Sequence, residues 1–254
     1  MATGAVHIAP RRRLEVEDGR LADMAASDLE LGYAGVKAYV GMADGAAFAV
    51  ALFSTERPEL VAVLEADWLG RLRTGAASAV AAKHLARHDA ATLGVIGCGG
   101  QAETQVSCIR AALPQIEHVV AYCRTERKLQ EFCERVGAEA GESHRDAAAQ
   151  DVVVTITTSR DPVLRGEWLK PGALVCAAGA NNGRSRELDN VVLERASLVC
   201  CDWLEVHELH EIVGGDLPGR QSPDDIVVFK SNGIAAWDIA AAAAVVERAS
   251  ARTG

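Results

Sequence analysis

The chain has 254 residues, a formal charge of −9 and 49% hydrophobic residues, enough for one large domain or two modest ones with cores of their own. The acidic balance argues against nucleic acid or an anionic membrane as a main partner, and no apolar run approaches the roughly 20 residues of a membrane span. No charged, apolar, small-residue leader opens the chain. Seven cysteines, with Cys200 and Cys201 adjacent and none at zinc spacing, read as reduced core thiols of a cytoplasmic protein without a bound metal.

Residues 1–13 read as irregular and end in Arg11-Arg12-Arg13, a triple typical of a solvated strand edge. Leu14 to Val16 and a turn at Asp18-Gly19 follow, then an Ala/Asp-rich link to the strand Gly35-Val-Lys-Ala-Tyr-Val40, where Lys37 is the one charge among apolar neighbours. Ala46 to Phe53 and Leu60 to Leu64 are strands separated by Thr55-Glu-Arg-Pro-Glu59, which completes an antiparallel meander. Asp67 to Arg87 has helical composition and period, with small residues from Gly75 to Ala82 that permit close backbone packing.

From Leu93 the pattern alternates strand and helix, the mark of a doubly wound parallel sheet. Its strands are Leu93 onward, Val119 to Cys123, Asp151 to Thr157, Ala173 to Ala178, Leu198 to Cys201 and Ile226 to Phe229. A helix from Ala235 to Ala249 closes the chain. The expected fold class is therefore α/β, a Rossmann sheet plus a smaller antiparallel-sheet domain. The expected division is 1–88 with 230–254 for substrate and dimer contacts, and 89–229 for a dinucleotide.

The stretch Gly97-Cys-Gly-Gly-Gln-Ala102 joins a buried strand to a helix start. Gly97 permits the tight turn, Gly99 lets a pyrophosphate approach bare backbone, and Ala102 is small enough for the helix to pack on the strand. Gly100 and Gln101 complete the loop at the start of that helix, whose N–H groups and positive dipole would hold the phosphates. The next strand ends in Arg124-Thr125, where an acid would favour NAD; a guanidinium and a hydroxyl suit a 2′-phosphate, so NADP is preferred and NAD remains possible. Arg124 equally suits a solvated position opening the helix Glu126 to Val136. Strand ends at Thr157 and Gly179-Ala-Asn181 point to the same cofactor crevice.

Three stretches together resemble the ornithine cyclodeaminase / mu-crystallin family: Leu72-Arg-Thr-Gly-Ala-Ala-Ser-Ala-Val-Ala-Ala-Lys-His-Leu-Ala86, Gly94-Val-Ile-Gly-Cys-Gly-Gly-Gln-Ala102 and Phe229-Lys-Ser-Asn-Gly-Ile-Ala-Ala-Trp-Asp-Ile-Ala-Ala241. The resemblance runs from about Pro10 onward and implies a homodimeric NAD(P)-dependent oxidoreductase acting on a small imino or amino acid. It gives Lys37 the place of the active-site lysine, which would bond the substrate carboxylate or imine nitrogen. Arg73 takes the place of the carboxylate clamp, Thr74 and Ser231 those of cofactor contacts, and one of Arg11 to Arg13, taken as Arg12, that of a second carboxylate contact. Tyr33 and Lys37 also spell a short-chain dehydrogenase pair, but they precede the glycine loop instead of following it.

Three departures from the family pattern bear on function. Asn181 stands where the cyclodeaminases and alanine dehydrogenase carry an aspartate; a carboxamide orients a substrate but takes no proton, which argues against cyclodeamination and for reduction of a preformed imine. The usual N-terminal helical segment is missing, and Leu204 to Leu217 replaces a longer excursion, so cofactor enclosure is reduced. The main expectation is a ketimine reductase-like enzyme. The alternatives are ornithine cyclodeaminase, giving proline and ammonia, and a non-catalytic NADPH-binding protein of mu-crystallin type. His207-Glu-Leu-His-Glu211 has i, i+3 histidines and reads as a solvated helix face, not as a zinc helix. Cys98 reads as a small filler of the phosphate loop, with oxidation that blocks cofactor entry as a minor hypothesis.

Overall fold

A computed structural model describes residues 3–180, 184–203 and 207–253. In chain order the first elements are β1 (Val6–Ile8), β2 (Arg12–Val16), β3 (Gly19–Asp28), β4 (Tyr33–Met42), β5 (Gly45–Ser54), β6 (Leu60–Glu65) and α1 (Asp67–Leu85). Next come β7 (Thr92–Ile96), α2 (Ala102–Ala112), β8 (His118–Tyr122), α3 (Glu126–Val136), β9 (Glu139–Ala140), α4 (His144–Ala148), β10 (Val152–Thr155) and β11 (Leu174–Ala177). The chain finishes with α5 (Asn190–Arg195), β12 (Ala196–Cys201), β13 (His207–Glu208), α6 (Leu209–Gly214), β14 (Ile226–Lys230) and α7 (Ala235–Thr253). Two compact units result, Met1–Arg73 with Gly233–Gly254, and Thr74–Asn232. The division falls inside α1, whereas the expected domain boundary is at residue 88.

In the first unit the antiparallel sheet runs β1-β3-β4-β5-β6, with β2 also on β3. Two segments expected to be irregular are strands. Val6–Ile8 pairs with Ala26–Asp28, and the Ala/Asp-rich link is β3, paired over its full length with β4. Alanine and aspartate are poor strand formers, but pairing on both edges overrides that preference. Alternation then sends Ala22, Met24 and Ala26 inward beside Gly35, Lys37, Val50 and Leu52, all buried.

Helix α7 covers this inner face through Ala235, Ile239 and Ala242. A Cβ on Gly35 would stand 2.4 Å from Ile239 Cδ1, so the bare strand backbone is what admits the isoleucine. Full burial of such a side chain contributes about 1.5–3 kcal/mol. The opposite face of the sheet is apolar and open, with Leu14, Leu21, Phe53, Leu60 and Val63 all exposed.

The second unit holds a sheet in the order β13-β12-β14-β11-β10-β7-β8-β9, its described strands all paired in parallel. Its central strands, such as Val152-Val-Val-Thr155, are buried along their whole length, as a sheet covered on both faces requires. From β7 the chain moves to β8 on one side and returns to β10 on the other. The strand order therefore reverses between β7 and β10, where folds of this kind bind ligands beyond the strand C-termini.

Candidate functional site

Lys37 sits on the central strand β4, opposite Met24 on one side and Val50 on the other. It is 3% exposed, so its ammonium is not in water. Nζ donates to Asp238 Oδ1 at 2.8 Å and lies 5.5 Å from the centre of the Phe48 ring. Arg73, near the boundary end of α1 in this unit, donates from Nε to the same Oδ1 at 3.0 Å. Asp238 is fully buried, and among the described residues its Oδ2 has no hydrogen-bond partner. Burial lowers the Lys37 pKa first, helped by the Arg73 and Arg11 guanidiniums, while Asp238 opposes them.

Arg11 is the member of the N-terminal triple that joins this cluster. It donates from Nη2 to the Gly233 carbonyl at 3.1 Å and from Nε to Met24 Sδ at 3.1 Å. A Cβ on Gly233 would meet Arg11 Nη2 and Arg73 Nη1, each at 3.4 Å, so the two guanidiniums flank the same glycine. Arg12 was expected here and is elsewhere: it is exposed and pairs with Asp23 at 2.8 Å. The reason is parity. Arg11 falls in the break between β1 and β2, whereas Arg12 opens β2 opposite Asp23 on the outer face.

Among the described residues the cluster thus sets three cationic side chains, Arg11, Lys37 and Arg73, around the carboxylate of Asp238. Such a cluster in a largely dehydrated place suits a small carboxylate held by a guanidinium fork. A lysine whose pKa is lowered by burial suits proton transfer at the adjacent atom.

In the second unit the glycine loop follows β7. Gly97 has φ +109°, and a Cβ there would lie 2.6 Å from the Ile156 carbonyl and 2.8 Å from Thr157 Cγ2. Only glycine lets the ends of β7 and β10 approach this closely. Gly99 is exposed, with nothing within 4 Å of a notional Cβ. Its bareness thus answers no internal packing need and fits a phosphate laid on backbone N–H groups. Gly100 and Gln101 are exposed, Gln101 occupying the N-cap position of α2, and Ala102 is buried at the helix start. Thr74 is buried, next to Gly75, whose notional Cβ would stand 2.3 Å from the Thr104 carbonyl of α2.

Arg124 and Thr125 are exposed just beyond β8, with Thr125 at the N-cap of α3. The chain therefore places no carboxylate directly at that strand end. Cys98 is buried; burial first, then the neighbouring Cys123, pushes its thiol far up. That favours the inert filler role, because the thiolate is the reactive form.

Glu187, unmarked in the sequence, organises the remaining strand ends. Its Oε1 accepts from Thr157 N at 2.6 Å and Thr157 Oγ1 at 2.9 Å, and its Oε2 from the N–H groups of Gly179 and Ala180, each at 2.9 Å. A Cβ on Gly179 would meet Thr157 N and O at 2.3 Å. Asp202 does the same for the segment after β14, accepting from Ser231 Oγ at 3.1 Å and Asn232 N at 2.9 Å. Lys230 Nζ donates to the Ala180 carbonyl.

Asn181 and Leu204 lie outside the described residues. His207 is in β13 and His210 in α6, so the stretch expected as one helix face changes element between them. Among the described residues no group of three His, Cys, Asp or Glu side chains could hold a metal ion, and no helix is long and apolar enough to cross a membrane.

Residues 1–253 match the model of a family described as ornithine cyclodeaminase/mu-crystallin. The chain is 35% identical to an alanine dehydrogenase of Archaeoglobus fulgidus over 98% of its own length and 86% of the relative's. A solved archaeal alanine dehydrogenase dimer with bound NAD superposes with a TM-score of 0.91 at 32% identity, covering 100% of this chain and 88% of that one. The Δ1-pyrroline-2-carboxylate reductase of Thermococcus litoralis, solved with NADH and L-proline, gives 0.90 at 26% identity, covering 99% and 89%.

Proposed function

This chain belongs to the ornithine cyclodeaminase/mu-crystallin family, and on that premise we propose that it is an NAD(P)H-dependent reductase of a small α-imino acid. The observation that carries the reading is the convergence of Lys37 and Arg73 on Asp238 Oδ1 with Arg11 beside them, a cationic cluster among the described residues that suits an anionic, carboxylate-bearing ligand. An enzyme of Thermococcus litoralis with the same fold is solved with such an amino acid and NADH.

Arg73 and Arg11 hold the substrate carboxylate, with the bidentate geometry that a lysine cannot supply. Lys37 donates a proton from Nζ to the imine nitrogen, a transfer eased by a buried ammonium whose proton is already loosened by its surroundings. Gly97, Gly99, Gly100, Gln101 and Ala102 would hold the dinucleotide phosphates, and Thr74, Thr157, Gly179 and Ser231 lie on or beside segments that would line its nicotinamide half. The dinucleotide supplies hydride when bound. Exposed Arg124 and Thr125 support NADPH over NADH, since they offer a 2′-phosphate a cation and a hydroxyl.

The open apolar sheet face supports a homodimer, with a second copy covering Leu14, Leu21, Phe53, Leu60 and Val63; a relative of the same fold is solved as a dimer.

The test is to mix the protein with NADPH or NADH and Δ1-pyrroline-2-carboxylate, other cyclic imines, or pyruvate with ammonia, and to follow absorbance of the reduced nicotinamide. Consumption is expected with at least one imine, lost in Lys37→Met and faster with NADPH until Arg124 is changed to Ala. Tight NADPH binding with no consumption across the panel would replace the reductase with a binding protein.

A further inference from the structure

Asp238 lies in an alanine-rich helix, where nothing in the sequence marks it, yet its carboxylate is the one anion facing Lys37 among the described residues. The charged groups around Lys37 come from three places: Arg11 from the segment before β2, Arg73 from α1, and Asp238 from α7. From the sheet itself β5 offers the Phe48 ring and β3 offers Met24. Lys37 and Arg73 do not share the two oxygens of Asp238. Both converge on Oδ1, at 2.8 and 3.0 Å, while Oδ2 has no hydrogen-bond partner among the described residues.

A carboxylate that merely neutralised an arginine would take its fork with both oxygens. Here one atom fixes two cations relative to each other, at the cost of a buried lone oxygen. Burial and two guanidiniums all work to strip the proton from Lys37, and Asp238 alone opposes them. We propose that Asp238 is a positioning residue for the reaction: through Oδ1 it keeps Lys37 protonated and aligned with Arg73, so that proton donor and carboxylate clamp are registered by one oxygen. This rests on the reductase reading for its place in catalysis, though not for its hold on Lys37. When the Nζ proton passes to the imine nitrogen, the neutral amine keeps an N–H to Asp238 and takes a proton back from solvent between turnovers.

The experiment is NMR of the full chain carrying ¹³C,¹⁵N-lysine, titrated in wild type and Asp238→Asn, with Lys37→Met to assign the signal. The Lys37 midpoint is expected to fall by about one pH unit or more in the Asn variant. In turnover, the alkaline limb of kcat/KM should move the same way. The kcat should fall about tenfold or more while KM for the imino acid stays within about threefold, a split that loss of packing alone would not give. An unmoved Lys37 midpoint overturns the proposal. Should Asp238→Asn fail to fold, Asp238→Glu takes its place, because the longer arm displaces the oxygen; its midpoint is expected below that of wild type, and a wild-type value overturns the proposal. If wild type turns over no imine while the midpoints shift as expected, the reductase reading falls and the hold of Asp238 on Lys37 stands. If wild type turns over and the midpoint does not move, only the role of Asp238 falls.

Discussion

Glu187 in the dinucleotide unit and Asp238 in the antiparallel unit are both carboxylates shut away from water, at 2% and 0% exposure, and they are satisfied in opposite ways. Glu187 accepts three backbone N–H groups and one hydroxyl, using both oxygens. Asp238 meets two cationic side chains with one oxygen, and among the described residues the other is unpaired. Backbone donors cannot titrate or swing, so a charge spent on them fixes where strand ends lie. Side-chain cations can exchange protons and take a new anion, so a charge spent on them stays available for chemistry. A buried carboxylate is therefore diagnosed by the kind of its donors as much as by its depth.

The sharpest way to break this contrast is Glu187→Ala. It strands the N–H groups of Thr157, Gly179 and Ala180, each costing about 1–3 kcal/mol, so urea unfolding is expected to show a loss of about 3 kcal/mol or more, with weakened NADPH binding. A loss below about 1 kcal/mol would remove Glu187 from its structural role. Lys37→Met should do the reverse, abolishing measurable turnover with a smaller loss of stability than Glu187→Ala, because Asp238 keeps Arg73 as a partner for its charge. The pH dependence carries a sign. The Lys37 pKa is lowered from 10.5 in the fold, so between that lowered value and 10.5 the unfolded chain binds more protons. Wild type should gain stability relative to Lys37→Met as pH rises through that window, and unfolding midpoints at pH 7 and 10 check it.

The smallest expected effect sharpens the contrast within one tripeptide. Arg12→Ala should leave KM unchanged and stability within about 0.5 kcal/mol, since an exposed ion pair contributes little. Arg11→Ala should raise KM for the imino acid by about tenfold. Equal behaviour of the two variants would return the second carboxylate contact to the sheet edge.

What could be read from the residues follows from where each partner lies. The glycine loop announces itself because turn, phosphate approach and helix start are contiguous. Lys37 stands out as a charge on an apolar strand, and the alternation of strand and helix from Leu93 gives the parallel sheet. Asp238 and Glu187 are silent because their partners are remote: Lys37 is 201 residues from Asp238, and Glu187 bonds to backbone, which has no residue identity. Arg11 could not be told from Arg12 without the strand break that sets its parity. Strand β3 was obscured by alanine and aspartate, residues that local preference assigns to a link and that pairing on two edges makes a strand.

The antiparallel unit is assembled from the two ends of the described chain, with Thr74–Asn232 between them. On a ribosome adding about 5–20 residues per second, the hairpins β3 to β6 emerge well before the helix that roofs them. During that interval Lys37 faces water, the pocket for Ile239 beside Gly35 is empty, and the sheet is greasy on both sides. The nascent sheet should thus keep apolar surface exposed until α7 arrives and brings Asp238 to Lys37.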